Sequence, residues 1–182
     1  MEKGNLPDPD PVGRRLAAAA ERVRLFVRVR LGPKLRARFE IEDVLQETLA
    51  AALVAWDRFE DRGDGSLVRW LCRIAETTIR SLAERERALK RTPPGERERI
   101  TRALRRVEDD AIGPATAAGR AEKNAAVARS LEMLDEDARE IVLARFFRGL
   151  PFEEVAREAG ISVSTARRRM GRALLALGEI LS

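Results

Sequence analysis

The sequence predicts an all-α protein: two small helical domains joined by a charged linker, the C-terminal one a helix-turn-helix. Three observations carry this. Hydrophobic residues are 45% of the 182 residues, many of them Ala, Leu and Val, while aromatics are only 4%; that balance suits helices and not strands. Apolar residues recur at i, i+3, i+4 and i+7 in the first and last parts of the chain. Gly and Pro punctuate those runs, at Gly32-Pro33, Pro93-Pro94-Gly95, Gly113-Pro114 and Gly160. The aromatics divide the same way, with Phe26, Phe39, Trp56, Phe59 and Trp70 early, Phe146, Phe147 and Phe152 late, and none across 83–125.

Residues 1–13 (MEKGNLPDPDPVG) are acidic and proline-rich; they read as a disordered N-terminus and not as a secretory signal. The first domain spans 14–88. Its first helix, from about 12 to 31, turns Leu16, Ala20, Val23, Phe26, Val27 and Leu31 inward and stops at Gly32-Pro33. A short basic stretch, 34–39, leads to a second helix over about 41–59, with Leu45, Leu49, Ala52, Leu53 and Trp56 at helical spacing. Glu42, Asp43, Gln46 and Glu47 open it, where acidic groups suit the positive end of the helix dipole. A polar loop follows, and Ser66 is expected to cap a third helix over 67–88, with Leu67, Leu71, Ile74, Ala75, Thr78 and Leu82 inward. On its other faces stand Arg69, Trp70, Arg73, Glu76, Thr77 and Arg80, and Cys72 reads as a modest filler. Residues 89–121 read as a charged linker with one short helix around 96–109, and 122–182 as the second domain.

The second domain carries the most informative stretch, PFEEVAREAGISVSTARRRMGRAL at 151–174. Phe152, Val155, Ala156 and Ala159 share one helical face, and Ala156 is small enough to let a second helix cross closely. Gly160 stands where the first helix must stop, since glycine takes the left-handed conformation at little cost. Ile161 can plug the space between the helices, and Ser162 or Ser164 can accept from the free N–H groups that open the second. Ala166, Met170 and Ala173 then face inward, leaving Arg167, Arg168, Arg169 and Arg172 around the rest of that helix with no acidic residue among them. A solvated face usually mixes both signs, so this pattern points to DNA. Ser162, Ser164 and Thr165 are short enough for base-edge contacts.

Composition narrows the rest. The formal net charge of +5 favours an anionic partner. There is no His, which removes His-based acid–base catalysis and the usual zinc sites. A single Cys allows no internal disulfide and fits a reducing cytoplasm. No apolar run of about 18 residues suggests a membrane span. No phosphate-binding loop or nucleophile–His pair is present. The expectation is a cytoplasmic protein that is not an enzyme and needs no metal, cofactor or small-molecule substrate.

Three stretches together resemble bacterial sigma factors of the extracytoplasmic-function group: IEDVLQETLAAALVAWDRFE (41–60), GSLVRWLCRIAETTIRSLAERER (65–87) and the segment 130–177. The resemblance implies core RNA polymerase and promoter DNA as partners, and an anti-sigma factor as a further candidate. It implies that 41–60 binds the polymerase through Asp43, Leu45, Gln46, Glu47 and Leu49, the leucines supporting the helix. It implies that 65–87 meets the minus-ten region through Arg69, Trp70, Arg73, Thr77 and Arg80, with Trp70 stacking on an unpaired base. It implies that 162–172 reads the minus-thirty-five element through Ser162, Ser164, Thr165, Arg167, Arg168, Arg169 and Arg172. The chain departs from the family's pattern at Thr77, where asparagine is usual, at Ser81, where an acid is usual, and at Leu67, often an aromatic. A helix-turn-helix regulator that works without polymerase accounts for residues 130–177 equally well but leaves the two helices at 41–60 and 65–87 unexplained; a sigma-like interaction module is a third reading.

Overall fold

The computed structural model describes residues 11–91 and 118–181, and every described element is helical. The short helix expected around 96–109 and most of the linker lie outside the described residues. Helix α1 (Pro11–Arg36) is broken at Gly32, whose φ of 66° and ψ of 163° no helix accepts. The stop expected there is therefore present, followed by one more helical turn instead of a loop. Because α1 starts at Pro11, residues 11–13 of the tail read as disordered are helical.

Helix α2 (Ile41–Val54) ends five residues before the expected limit, and a 3-10 turn (Trp56–Arg58) takes over. Val44, Leu45, Thr48 and Ala52 form its buried face. The Thr48 hydroxyl donates to the Val44 carbonyl at 2.7 Å, so no polar atom is stranded there. Leu53, expected inward, lies outside that face and is exposed. The loop to α3 (Ser66–Arg91) is organised by Asp61. Its Oδ1 accepts from the Gly63 N–H and the Ser66 hydroxyl, both at 3.1 Å, and Oδ2 accepts from Arg15 at 2.5 Å. Those donors hold the Asp61 carboxyl below the usual range, the Gly63 N–H contributing most. Ser66 is thus the first helical residue and a donor, not the cap that the sequence suggested. Along α3 the buried apolar set is Val68, Leu71, Cys72, Ala75, Ile79 and Leu82, Thr78 is buried with them as expected, and Leu67 and Ile74 are only partly covered.

The second half opens with α4 (Ala118–Met133). Arg139 caps its end, donating to the Leu131, Glu132 and Leu134 carbonyls at 3.0, 3.0 and 2.8 Å, which a helix terminus otherwise leaves unpaired. Asp135 caps α5 (Glu136–Val142) by accepting from the Ala138 N–H at 2.8 Å. A single π-helical turn (Leu143–Phe147) leads to Gly149, then α6 (Phe152–Ala159) and α7 (Val163–Leu181).

The buried residues of both halves form one continuous core. Helix α1 is the reason. It packs on α2 and α3 with one face and on α4 and the π turn with another. Leu25 and Val29, absent from the expected inward set, are buried alongside Val23, Phe26 and Val27. The Phe26 ring lies 5.8 Å from that of Phe147. Arg36 reaches Glu132 on α4 at 2.7 Å, and Arg30 lies 3.4 Å from Glu140 on α5. No helix among the described residues is long and apolar enough to cross a membrane.

Candidate polymerase and promoter interfaces

Helix α2 presents two opposed faces. Leu45 is 3% exposed and belongs to the core, where it supports the helix from behind. Leu49 is half-buried against the same core. Asp43, Gln46 and Glu47 are exposed, and at i, i+3 and i+4 they stand together. The same stripe continues through Ala50 to Leu53 and Val54, the last 90% exposed. Its polar start and apolar end make it a surface suited to a partner helix. Sequence spacing had assigned Leu53 to the core; it lies one turn beyond half-buried Leu49, at the edge of the buried arc, and stays exposed.

On α3, Trp70 sits in a three-ring cluster, 5.2 Å from Phe59 and, edge-on, 6.1 Å from Trp56. The Arg15 guanidinium lies over the other two rings at 5.5 and 5.4 Å. Trp70 is half-buried there, holding the α2–α3 loop against α3. Thr77 is exposed, and its hydroxyl donates back to the Arg73 carbonyl at 3.2 Å. Arg80 is exposed, 3.8 Å from Glu76. Glu76 itself, expected on an outer face, is buried and accepts two bonds from Arg30 at 2.8 and 2.9 Å. That pairing holds the Arg30 guanidinium above its ordinary pKa.

Arg69 and Arg73 point to the second half. Arg73 Nε donates to the Arg148 carbonyl at 3.2 Å. The Arg69 stem lies against Gly149, where an added Cβ would come within 2.1 Å of Cδ, and its Nη1 donates to the Asp64 carbonyl at 3.2 Å. The cleft between the halves, about 430 Å³, is lined by four arginines and four carboxylates, so it offers no net charge to a ligand.

The C-terminal pair of helices has the expected geometry. Gly160 has φ 65° and ψ 31°, and the Ile161 N–H bonds the Ala156 carbonyl at 3.0 Å, a Schellman-type stop. Val155 and Ala156 are buried beneath α7, and Ala166, Met170 and Ala173 face them. Ala159, expected on the inner face, is exposed. Ser162 is the cap: its Oγ accepts from the Thr165 N–H at 3.2 Å and lies 2.9 Å from both the Ser164 and Thr165 hydroxyls.

The four arginines of α7 are not equivalent. Arg169 is tied to Asp137 of α5 at 2.5 Å, its side chain only 29% exposed. Arg167 lies 5.5 Å over the Phe152 ring and 3.9 Å from Glu153. Arg168 and Arg172 are exposed and make no ion pair among the described residues. The sequence did not single out Asp137 and Glu153, and read Phe152 only as part of an inner face, because their arginine partners lie on a different helix.

Two family descriptions match this chain: Sigma-70 region 2 over residues 14–88 and Sigma-70, region 4 over residues 124–177. The chain belongs to the sigma-70 family of sigma factors. Among its relatives, the RNA polymerase sigma-H factor of Pseudomonas aeruginosa is 33% identical over 146 residues, covering 78% of this chain and 73% of that protein. The ECF RNA polymerase sigma-E factor of Escherichia coli K12 is 32% identical over 138 residues, covering 74% and 70%. A solved structure of the sigma factor RpoE with the anti-sigma factor NepR, from Bartonella quintana, shares the fold, with a TM-score of 0.51 and 24% identity over 93% of this chain and 95% of that one. This sigma factor directs transcription initiation with core RNA polymerase. The Sigma-70 region 2 match takes in α2 and most of α3, and the region 4 match takes in the helix-turn-helix.

Proposed function

We propose that the outer stripe of α2 docks on core RNA polymerase, through Asp43, Gln46 and Glu47 at its polar start and Leu53 and Val54 at its apolar end. The observation that carries this is the separation of α2 into a buried face and an exposed one, on which Glu47 lies 3.9 Å from Arg85 of α3. Leu49 and Leu45 hold the helix to the core behind it. Helix α3 then works at the minus-ten region, with Arg69, Arg73 and Arg80 toward phosphates, Trp70 toward an unpaired base and Thr77 beside them. Helix α7 works at the minus-thirty-five element, with Arg168 and Arg172 as the reaching cations, Arg167 preset by Phe152, and the Ser162, Ser164 and Thr165 hydroxyls at its start. The sigma factor acts in the cytoplasm and by binding alone, with no chemical step of its own. An anti-sigma factor is a further partner on this reading, as NepR is for the Bartonella protein.

The test is association with purified core polymerase. Replacing Asp43, Gln46 and Glu47 together by Ala, or Val54 by Asp, is expected to weaken binding at least tenfold while leaving the circular-dichroism melt in place. Full affinity in both variants would remove α2 from the interface.

A further inference from the structure

Helix α7 carries one arginine that its own domain takes out of reach. We propose that Asp137 of α5 is a positioning residue that sets the grip of α7 on DNA. It holds Arg169 off the phosphate backbone, which lowers affinity for every sequence alike and leaves the choice of sequence to Arg168 and Arg172. The assignment of α7 to DNA is that of the reading above; the restraint on Arg169 stands on the geometry that follows.

Arg167 and Arg169 flank Arg168 on opposite sides, each turned about 100° from it around the helix. Arg169 comes four residues after Thr165 and three before Arg172, so it shares their side of α7 and borders the proposed contact face. Both flanking arginines meet a carboxylate from a neighbouring helix, but on unequal terms. Arg167 lies 3.9 Å from Glu153 of α6 and its side chain stays 63% exposed, free to reach outward. Arg169 Nη1 donates to Asp137 Oδ2 at 2.5 Å, and its side chain is 29% exposed. Asp137 itself stands on a fixed turn. It belongs to the first turn of α5, which Asp135 caps and whose Ala138 and Ile141 are buried. The restraint is electrostatic and not steric. The groove between α5 and α7, about 420 Å³, is walled in part by Ala138, Ala173 and Ala176, which leave the guanidinium room to swing outward once the carboxylate is gone.

Carboxylate and phosphate take the same donors of a guanidinium, so Asp137 competes with the DNA backbone for Arg169. A backbone contact strengthens binding to all sequences and carries no sequence information. What Asp137 governs is therefore the strength and salt dependence of the hold, not the sequence that is read.

The experiment uses the full chain bound to core polymerase. The probe is the duplex that the wild-type complex enriches most from a random-sequence pool, and its affinity is measured at several salt concentrations. Asp137→Asn keeps the size of the side chain and removes its charge. It is expected to steepen the fall of log affinity against log salt by about 0.9, which is about a 3.5-fold larger loss of affinity across a fourfold rise in salt. Selection from the pool with Asp137→Asn should return the same sequence. Adding Arg169→Ala should bring the slope back to the wild-type value, because the extra contact is made by Arg169. Should Asp137→Asn melt early, Asp137→Ser, which also suits a first helical turn, is expected to give the same steeper slope. An unchanged slope in the folded Asp137 variant would overturn the restraint. A slope that stays steep in the double variant would overturn it too, because Asp137 would then act by repelling the backbone directly. A different selected sequence would overturn the separation of grip from reading. Arg168→Ala and Arg172→Ala are measured alongside. A loss of affinity in either, with none of the expected changes in Asp137→Asn, refutes the restraint alone; no change in both refutes contact of α7 with DNA, and the restraint with it.

Discussion

Replacing the arginines of α7 one at a time separates reading from bracing. Arg168 and Arg172 are exposed without an ion pair among the described residues, while Arg169 is bound to Asp137 at 2.5 Å. Each arginine that neutralises one phosphate contributes about 0.9 to the slope of log affinity against log salt. Arg168→Ala and Arg172→Ala should each flatten the slope by about that amount, or, where a guanine is the target, cost about 1–3 kcal/mol of discrimination. Across a fourfold rise in salt, one lost phosphate contact corresponds to about a 3.5-fold smaller fall in affinity. Arg169→Ala should leave the slope in place and instead lower stability. Its pair is partly exposed, with Asp137 68% accessible, so the loss is at most about 1 kcal/mol. That is a melting shift of about 2–4 °C for a chain of this size. The assay is anisotropy of a labelled duplex titrated at several salt concentrations, with a thermal melt of each variant. A slope that flattens as much for Arg169→Ala as for Arg168→Ala would refute the division of roles, and an unchanged slope and affinity in all three would refute DNA contact by this helix.

Other outcomes follow from single sites. Gly160→Ala meets nothing within 4 Å, so its whole cost is the left-handed backbone, about 1–2 kcal/mol, read as an earlier melt; a melt unchanged within error would contradict the assigned conformation. Glu76→Gln weakens two bonds to Arg30 at a buried site and should cost about 2 kcal/mol in a urea titration. Burial holds the Glu140 carboxyl above its ordinary pKa, against the opposing pull of Arg30. A raised carboxyl pKa favours folding in the protonated state. The wild type should therefore gain stability relative to Glu140→Gln as pH falls from neutral toward the ordinary carboxylate value and gain no more below it. A stability difference that does not change with pH would show the carboxyl to be unperturbed.

Much of this was legible in the sequence because it depends on near neighbours. The stop at Gly32, the turn at Gly160 and the inward set Ala166, Met170 and Ala173 all follow from spacing within a few residues. What stayed hidden depends on distant ones. Glu76 reads as a surface charge until Arg30, 46 positions away, is seen beside it. Trp70 reads equally well as a base-stacking or a core residue, and only the placement of Trp56 and Phe59 shows what it touches. Leu53 lies at the edge of the buried arc of α2, and periodicity does not report how far neighbouring helices cover that edge. Arg69 and Arg73 are the sharpest case. The family resemblance implied DNA for them, whereas the glycine that lets the second half approach them lies 80 and 76 residues further along, at Gly149.

On the function proposed above, this chain gives core RNA polymerase its promoter choice through α2, α3 and α7 acting together. Transcription in vitro with purified core polymerase, this chain and a library of promoter sequences tests it most directly. The expected result is a set of start sites absent with core polymerase alone, sharing one minus-ten and one minus-thirty-five sequence, and lost when Asp43, Gln46 and Glu47 are replaced by Ala. Binding of the chain to DNA with no initiation from any sequence would contradict it.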